Sequence, residues 1–126
     1  MFVDDEEGSL EFCRKFLERA GYEVVSSREG SQTVELARKY RPDVLVLGSD
    51  APQAELESTI GRLRMGRSMA GLPVIAASSY AERLKKLREG YEDFSLVFIA
   101  KPLKFEELLS SIQLLLKQSS YGKADA

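Results

Sequence analysis

Four apolar runs in this 126-residue sequence end in residues able to hold a cation or a phosphoryl group. Phe2-Val3 leads into Asp4 and Asp5, and Val44–Leu47 into Gly48, Ser49 and Asp50. Val74–Ala77 leads into Ser78 and Ser79, and Leu96–Ala100 into Lys101 and Pro102. Carboxylates bind a hard cation such as Mg2+ through oxygen, while a hydroxyl and an ammonium meet phosphoryl oxygens. What the sequence lacks narrows the chemistry further. Its histidine count is zero, which removes His-based triads, His-ligated zinc or haem, and a histidine phosphocarrier role. The single cysteine, Cys13, has no internal partner for a disulfide. It falls on an apolar stripe as a core residue would, and points to a reducing, cytoplasmic setting.

A chain of this length forms one domain. Apolar residues at 44% and charged residues at 30% give an ordinary globular balance. No apolar run reaches the ~18 to 20 residues of a membrane span, and the acidic start MFVDDEEGS is unlike a signal or transit peptide. A net charge of −2 gives no general attraction for nucleic acid. Arg62, Arg64 and Arg67 form one basic cluster, and Arg83, Lys85, Lys86 and Arg88 another, with Glu82 and Glu89 close by. Both read as solvated helix faces, the second better suited to docking a protein than a polyanion, since surface charge mainly sets partner choice and on-rate.

The polar residues need a scaffold, and the hydrophobic pattern supplies one. Apolar steps of three and four predict helices over 9–20, 31–40, 80–89 and 104–117, and another carrying Leu56, Ile60 and Leu63. Gly21 stands where a glycine would stop the first helix, and Gly90 where one would stop the fourth. Strands are expected over 1–3, 22–26, 43–47, 73–77 and 96–100, the third nearly all apolar, as a strand covered on both faces must be. Strands alternating with helices specify an α/β domain with a parallel sheet over 1–117, followed by a flexible tail over 118–126. Right-handed crossovers put helices on both faces and a site beyond the carboxyl ends of the strands, where the four polar groups fall.

Taken in order, these residues resemble the receiver domain of two-component response regulators. The resemblance rests on Val3-Asp4-Asp5-Glu6; on Pro42-Asp43, the run to Leu47 and Pro52; on Ser78 closing the fourth strand; and on Phe98 three residues before Lys101-Pro102. It implies a flavodoxin-like, doubly wound, five-stranded parallel sheet of order 2-1-3-4-5 in three α/β/α layers. It further implies Mg2+ held by Asp4 and Asp5, phosphoryl contacts from Ser78 and Lys101, Phe98 as a switch aromatic, and a cis-proline at Pro102. One position departs from the pattern: Gly48 stands where the family carries the phosphorylated aspartate, and it has no side chain to accept anything.

The expected function is therefore that of a pseudo-receiver, a non-enzymatic signalling module of a two-component or phosphorelay system. It would act by protein–protein contact, with no cofactor required and at most weak Mg2+ binding through Asp4, Asp5 and Asp50. Lys101 would pair with Asp4 or Asp5 and hold the edge together. Partners would be a sensor kinase, phosphotransfer or output protein, met through the fourth helix with Arg83, Lys85, Lys86 and Arg88, the fifth strand and the fifth helix. That same face would serve a homodimer, with no role for nucleic acid or membrane. Two alternatives stand beside it. Asp50 could replace the acceptor with Mg2+ on Asp4 and Asp5, or the fold could bind a small molecule as flavodoxins do. Against the latter, Asp4–Glu7 would repel a phosphate after the first strand. The first strand is also short, with only Met1, Phe2 and Val3 before the acidic pair: either the start is placed late, or the middle of the sheet is short of hydrogen bonds and depends on neighbours or a partner chain, which predicts modest stability.

Overall fold

β-Branched and apolar runs become strands because both of their faces can be buried, and amphipathic stretches become the helices that bury them. A computed structural model of the chain shows five parallel strands in the order β2-β1-β3-β4-β5. They are β1 (Phe2–Asp4), β2 (Ser26–Ser27), β3 (Leu45–Gly48), β4 (Val74–Ser78) and β5 (Leu96–Ala100). The helices are α1 (Glu7–Arg19), α2 (Thr33–Tyr40), α3 (Gln53–Met65) and α4 (Phe105–Gln118). The structure describes residues 2–4, 7–27, 32–48, 53–66, 69–80, 82, 85–86, 89 and 95–118, with side chains from 11 onward and, in α3, from 57 onward. Within the helix expected over 80–89, Glu82, Lys85, Lys86 and Glu89 are helical while Tyr80 is not, its N–H being taken by the Ser78 hydroxyl; Leu84, Leu87 and Gly90 lie outside the described residues.

Alternation along the strands divides the core into two layers. Leu45, Leu47, Val74, Ala76 and Leu96 face Val34 and Ala37 of α2 and Ile60 and Leu63 of α3. Val46, Ile75 and Ile99 face Cys13 and Leu17 of α1 and Leu108, Ile112 and Leu115 of α4. The sheet is thus covered on both sides, as a doubly wound flavodoxin-like fold requires.

Helix ends carry their own signals. At the end of α1, Gly21 has φ 98°, and the Gly21 N–H donates to the Glu18 carbonyl at 3.0 Å. The Tyr22 N–H donates to the Leu17 carbonyl at 3.1 Å, completing the paired bonds of a Schellman turn. Tyr22 and Leu17 then join the same core layer, the apolar contact that accompanies this cap. α2 ends on Arg41, left-handed at φ 46°, with its N–H on the Ala37 carbonyl at 2.9 Å; Pro42 follows and stops the helix.

Strand β5 lies where the sequence puts it, β1 runs one residue further, to Asp4, and β4 falls at Val74–Ser78 rather than 73–77; two strands differ more. β2 is confined to Ser26–Ser27 rather than 22–26, and β3 begins at Leu45 rather than Asp43. The described ladder with β1 runs from Phe2, opposite Ser26 and Val46, and the ladder with β4 runs from Leu45, opposite Val74. Residues 22–25 and 42–44 run past the amino end of those ladders.

Candidate functional site at the carboxyl edge of the sheet

Parallel pairing fixes which residues meet at the carboxyl edge. Asp4 is paired with Gly48, Gly48 with Ala77, and Ser78 with Ala100, the residue before Lys101. Four strand ends are thereby set side by side, each separated from the next by about 4.8 Å. The structure brings together the backbone positions of Asp4, Gly48, Ser78 and Lys101, as the sequence pattern anticipates. Asp5 and Asp50 lie outside the described residues, as does the Asp4 side chain.

Ser78 is fully buried, and its hydroxyl oxygen accepts the Tyr80 N–H at 3.1 Å. Its carbonyl accepts the Lys101 N–H at 2.9 Å, which ties the end of β4 to the turn after β5. Lys101 itself is half-buried and is joined to Pro102 by a cis peptide, as the resemblance implies. Phe98 is half-buried and packs on the α2–α3 side of the sheet, where it is also a core ring. Gly48 is buried at the last position of β3 and presents only backbone to this edge. Among the described residues, no three His, Cys, Asp or Glu side chains gather as a metal site would need.

The basic clusters separate. The Arg62 guanidinium bonds Glu35 at 3.1 Å across the α2–α3 surface. Arg64 donates to the Leu72 carbonyl at 2.8 Å and to the Ser95 hydroxyl at 3.0 Å, fastening two loops. Arg64 therefore has a structural task that its place in a charge run did not reveal. Lys85 and Lys86 are exposed, on the segment expected to meet partners; Arg67, Arg83 and Arg88 lie outside the described residues.

A second feature lies at the opposite, amino edge. A cavity of about 510 Å3 opens between residues 22–25 and 42–44, floored by Leu17, Val46 and Ile112. No sequence motif marks it.

With this geometry in view, comparison with known proteins is decisive for the family. Residues 1–113 match the family model of the response regulator receiver domain. The polar-differentiation response regulator DivK of Brucella anthropi is 26% identical over 115 residues, covering 90% of this chain and 91% of that protein. The crystal structure of a response regulator from Desulfuromonas acetoxidans superposes with a TM-score of 0.75 at 25% identity, over 93% of this chain and 94% of that one. The chemotaxis protein CheY4 of Vibrio cholerae shares the fold, with a TM-score of 0.77 at 24% identity over 90% and 94% of the two chains. The chain belongs to the response regulator receiver family, and its role is that of a receiver module in two-component signalling.

Proposed function

We propose that this receiver works without aspartyl phosphorylation at the usual place, as a pseudo-receiver that signals by binding other proteins. The observation that carries the reading is Gly48. It closes β3 between Asp4 and Ala77, at the centre of the carboxyl edge, and offers neither a nucleophilic oxygen nor a cation ligand. Anchors on either side, Pro42-Asp43 and Pro52, leave no other residue for that register position. Ser78 and Lys101 are retained beside it, so the edge keeps phosphoryl-contact residue types around a position that cannot be phosphorylated.

A conformational switch needs a ligand with different affinities for its two states. Without a covalent phosphoryl group, that ligand is a partner protein. The docking face is the 82–89 segment with β5 and α4, where Lys85 and Lys86 are exposed, and acidic surfaces on a kinase, phosphotransfer or output protein complement it. The module has no enzymatic activity of its own, acts in the cytoplasm, and needs no cofactor. Mg2+ at Asp4, Asp5 and Asp50 would be held weakly, because β3 supplies no side-chain oxygen. Among the described residues no helix is long and apolar enough to cross a membrane.

The deciding experiment is intact-protein mass after incubation with Mg2+ and acetyl phosphate, run beside Asp50→Asn. No phosphoryl adduct is the expected result. An adduct that disappears in Asp50→Asn would assign the acceptor role to Asp50 and overturn the pseudo-receiver reading.

A further inference from the structure

Helices α2 and α3 cover the same face of the sheet and run the same way, since each returns from the end of one parallel strand to the start of another. The Arg62 guanidinium of α3 meets the Glu35 carboxylate of α2 at 3.1 Å, which sets these two residues level. One turn further along come Arg38 on α2 and Met65 on α3. Glu35 is drawn below the usual carboxylate range by its own backbone N–H first, then by Arg62, and further by Arg38, so one carboxylate serves two guanidiniums. Lys39 is exposed beside them, its Nζ 5.1 Å from the centre of the Tyr40 ring. Among the described residues, Arg38 and Lys39 form no ion pair. Three cations thus face one carboxylate on a chain whose net charge is −2. Basic residues at the carboxyl end of a helix answer its dipole, which accounts for the charges. It does not account for Met65, which is 86% exposed, more than any other large apolar side chain among the described residues.

We propose that this α2–α3 face docks an acidic amphipathic helix of a partner protein, separately from the face formed by residues 82–89, β5 and α4. An apolar side chain of the incoming helix covers Met65, and its carboxylates meet Arg38, Arg62 and Lys39. The chemistry of the face favours such a segment. Methionine and arginine are enriched where proteins meet, and a flexible thioether conforms to an irregular apolar surface. Arg62 and Met65 are one helical turn apart, so an occupant with acidic and apolar residues at the same spacing matches both, as a helix laid along a groove does. A phosphate backbone fits less well. Its affinity grows with the number of phosphates neutralised, whereas here three cations surround a carboxylate that repels phosphate, and an exposed methionine offers phosphate nothing.

The test is an NMR titration of the whole chain, labelled at the methyl groups of its three methionines, with an acetylated peptide of three Glu-Ala-Leu-Glu repeats. A saturable shift of the Met65 methyl is expected, while that of Met69, 2% exposed in the core, stays in place. Fluorescence anisotropy of the labelled peptide then reads affinity across variants. Arg38→Gln with Arg62→Gln should weaken binding about three- to tenfold. Both positions are exposed and glutamine is a good helix former, so that variant should fold. Met65→Gln, which leaves every charge in place, should weaken binding by a similar factor, as should glutamine for glutamate throughout the peptide. A Met65 methyl that does not shift, or binding that survives loss of either the arginines or the methionine, would overturn the proposal. So would tighter binding of oligothymidylate or of phosphatidylglycerol vesicles than of the peptide, since the face would then serve a polyanion. Self-association by light scattering that shifts the same methyl without peptide would overturn it too, by giving the face to a second copy.

Discussion

Replacing Gly48 by aspartate puts a carboxylate back at the centre of the carboxyl edge, and its consequences can be worked out from the register. Gly48 is directly opposite Asp4 on the neighbouring strand, about 4.8 Å away. Two carboxylates at about 5 Å repel by about 3 kcal/mol at an effective dielectric of about 20. Lys101, which follows β5, is two strand spacings from β3, and at about 9.6 Å its attraction returns about 1.7 kcal/mol. Gly48→Asp should therefore cost about 1 to 2 kcal/mol in the absence of a divalent cation, a fall in Tm of about 3–8 °C for a domain of this size. Mg2+ reverses the sign of the local interaction. With a Kd of about 1 mM, about 10 mM Mg2+ stabilises the variant by about 1.4 kcal/mol and restores most of the loss. The unaltered chain should shift by less than about 1 °C under the same conditions. Thermal melts with and without Mg2+ read the first effect, and intact-protein mass after acetyl phosphate treatment reads the second, with an adduct expected only in Gly48→Asp. A variant that folds but shows neither a Mg2+-dependent melt nor an adduct would refute the claim that this edge lacks only its acceptor.

Other expectations concern the scaffold. Gly21→Ala meets no steric obstacle, since no other atom lies within 4 Å of the added carbon, but φ 98° should cost about 1–2 kcal/mol in chemical denaturation. Arg64→Ala removes the bonds to Leu72 and Ser95 and should cost about 1–3 kcal/mol by urea titration, whereas Arg62→Ala, which loses only an exposed pair, should cost about 0–1 kcal/mol. Leu108→Ala, at a fully buried position of α4, should cost about 2–5 kcal/mol. Glu35 is held below the usual carboxylate range by its own backbone N–H first and by Arg62 second. A folded pKa below the unfolded one gives stability that is present above the unfolded value and lost as pH falls through the folded value. Glu35→Gln should accordingly flatten the acid side of a pH–Tm profile below about pH 4.5, the usual value for that carboxyl.

How far the sequence discloses this molecule depends on the range of the interaction that decides each feature. Helices and their stops are local, so the stripe from Leu10 to Ala20 and Gly21 after it locate α1 and its cap to within two residues. Strand 96–100 is as legible from its apolar run LVFIA, and the strand expected over 73–77 falls one residue later, at Val74–Ser78, buried along its whole length. Strand β2 is not legible, because Tyr22–Val25 has every local mark of a strand while the described ladder with β1 holds only Ser26 and Ser27. The carboxyl edge is legible as an ordered set of positions, Asp4, Gly48, Ser78 and Lys101, since a parallel sheet must align its strand ends. The role of Arg64 was hidden, as its acceptors are eight and 31 residues away in sequence.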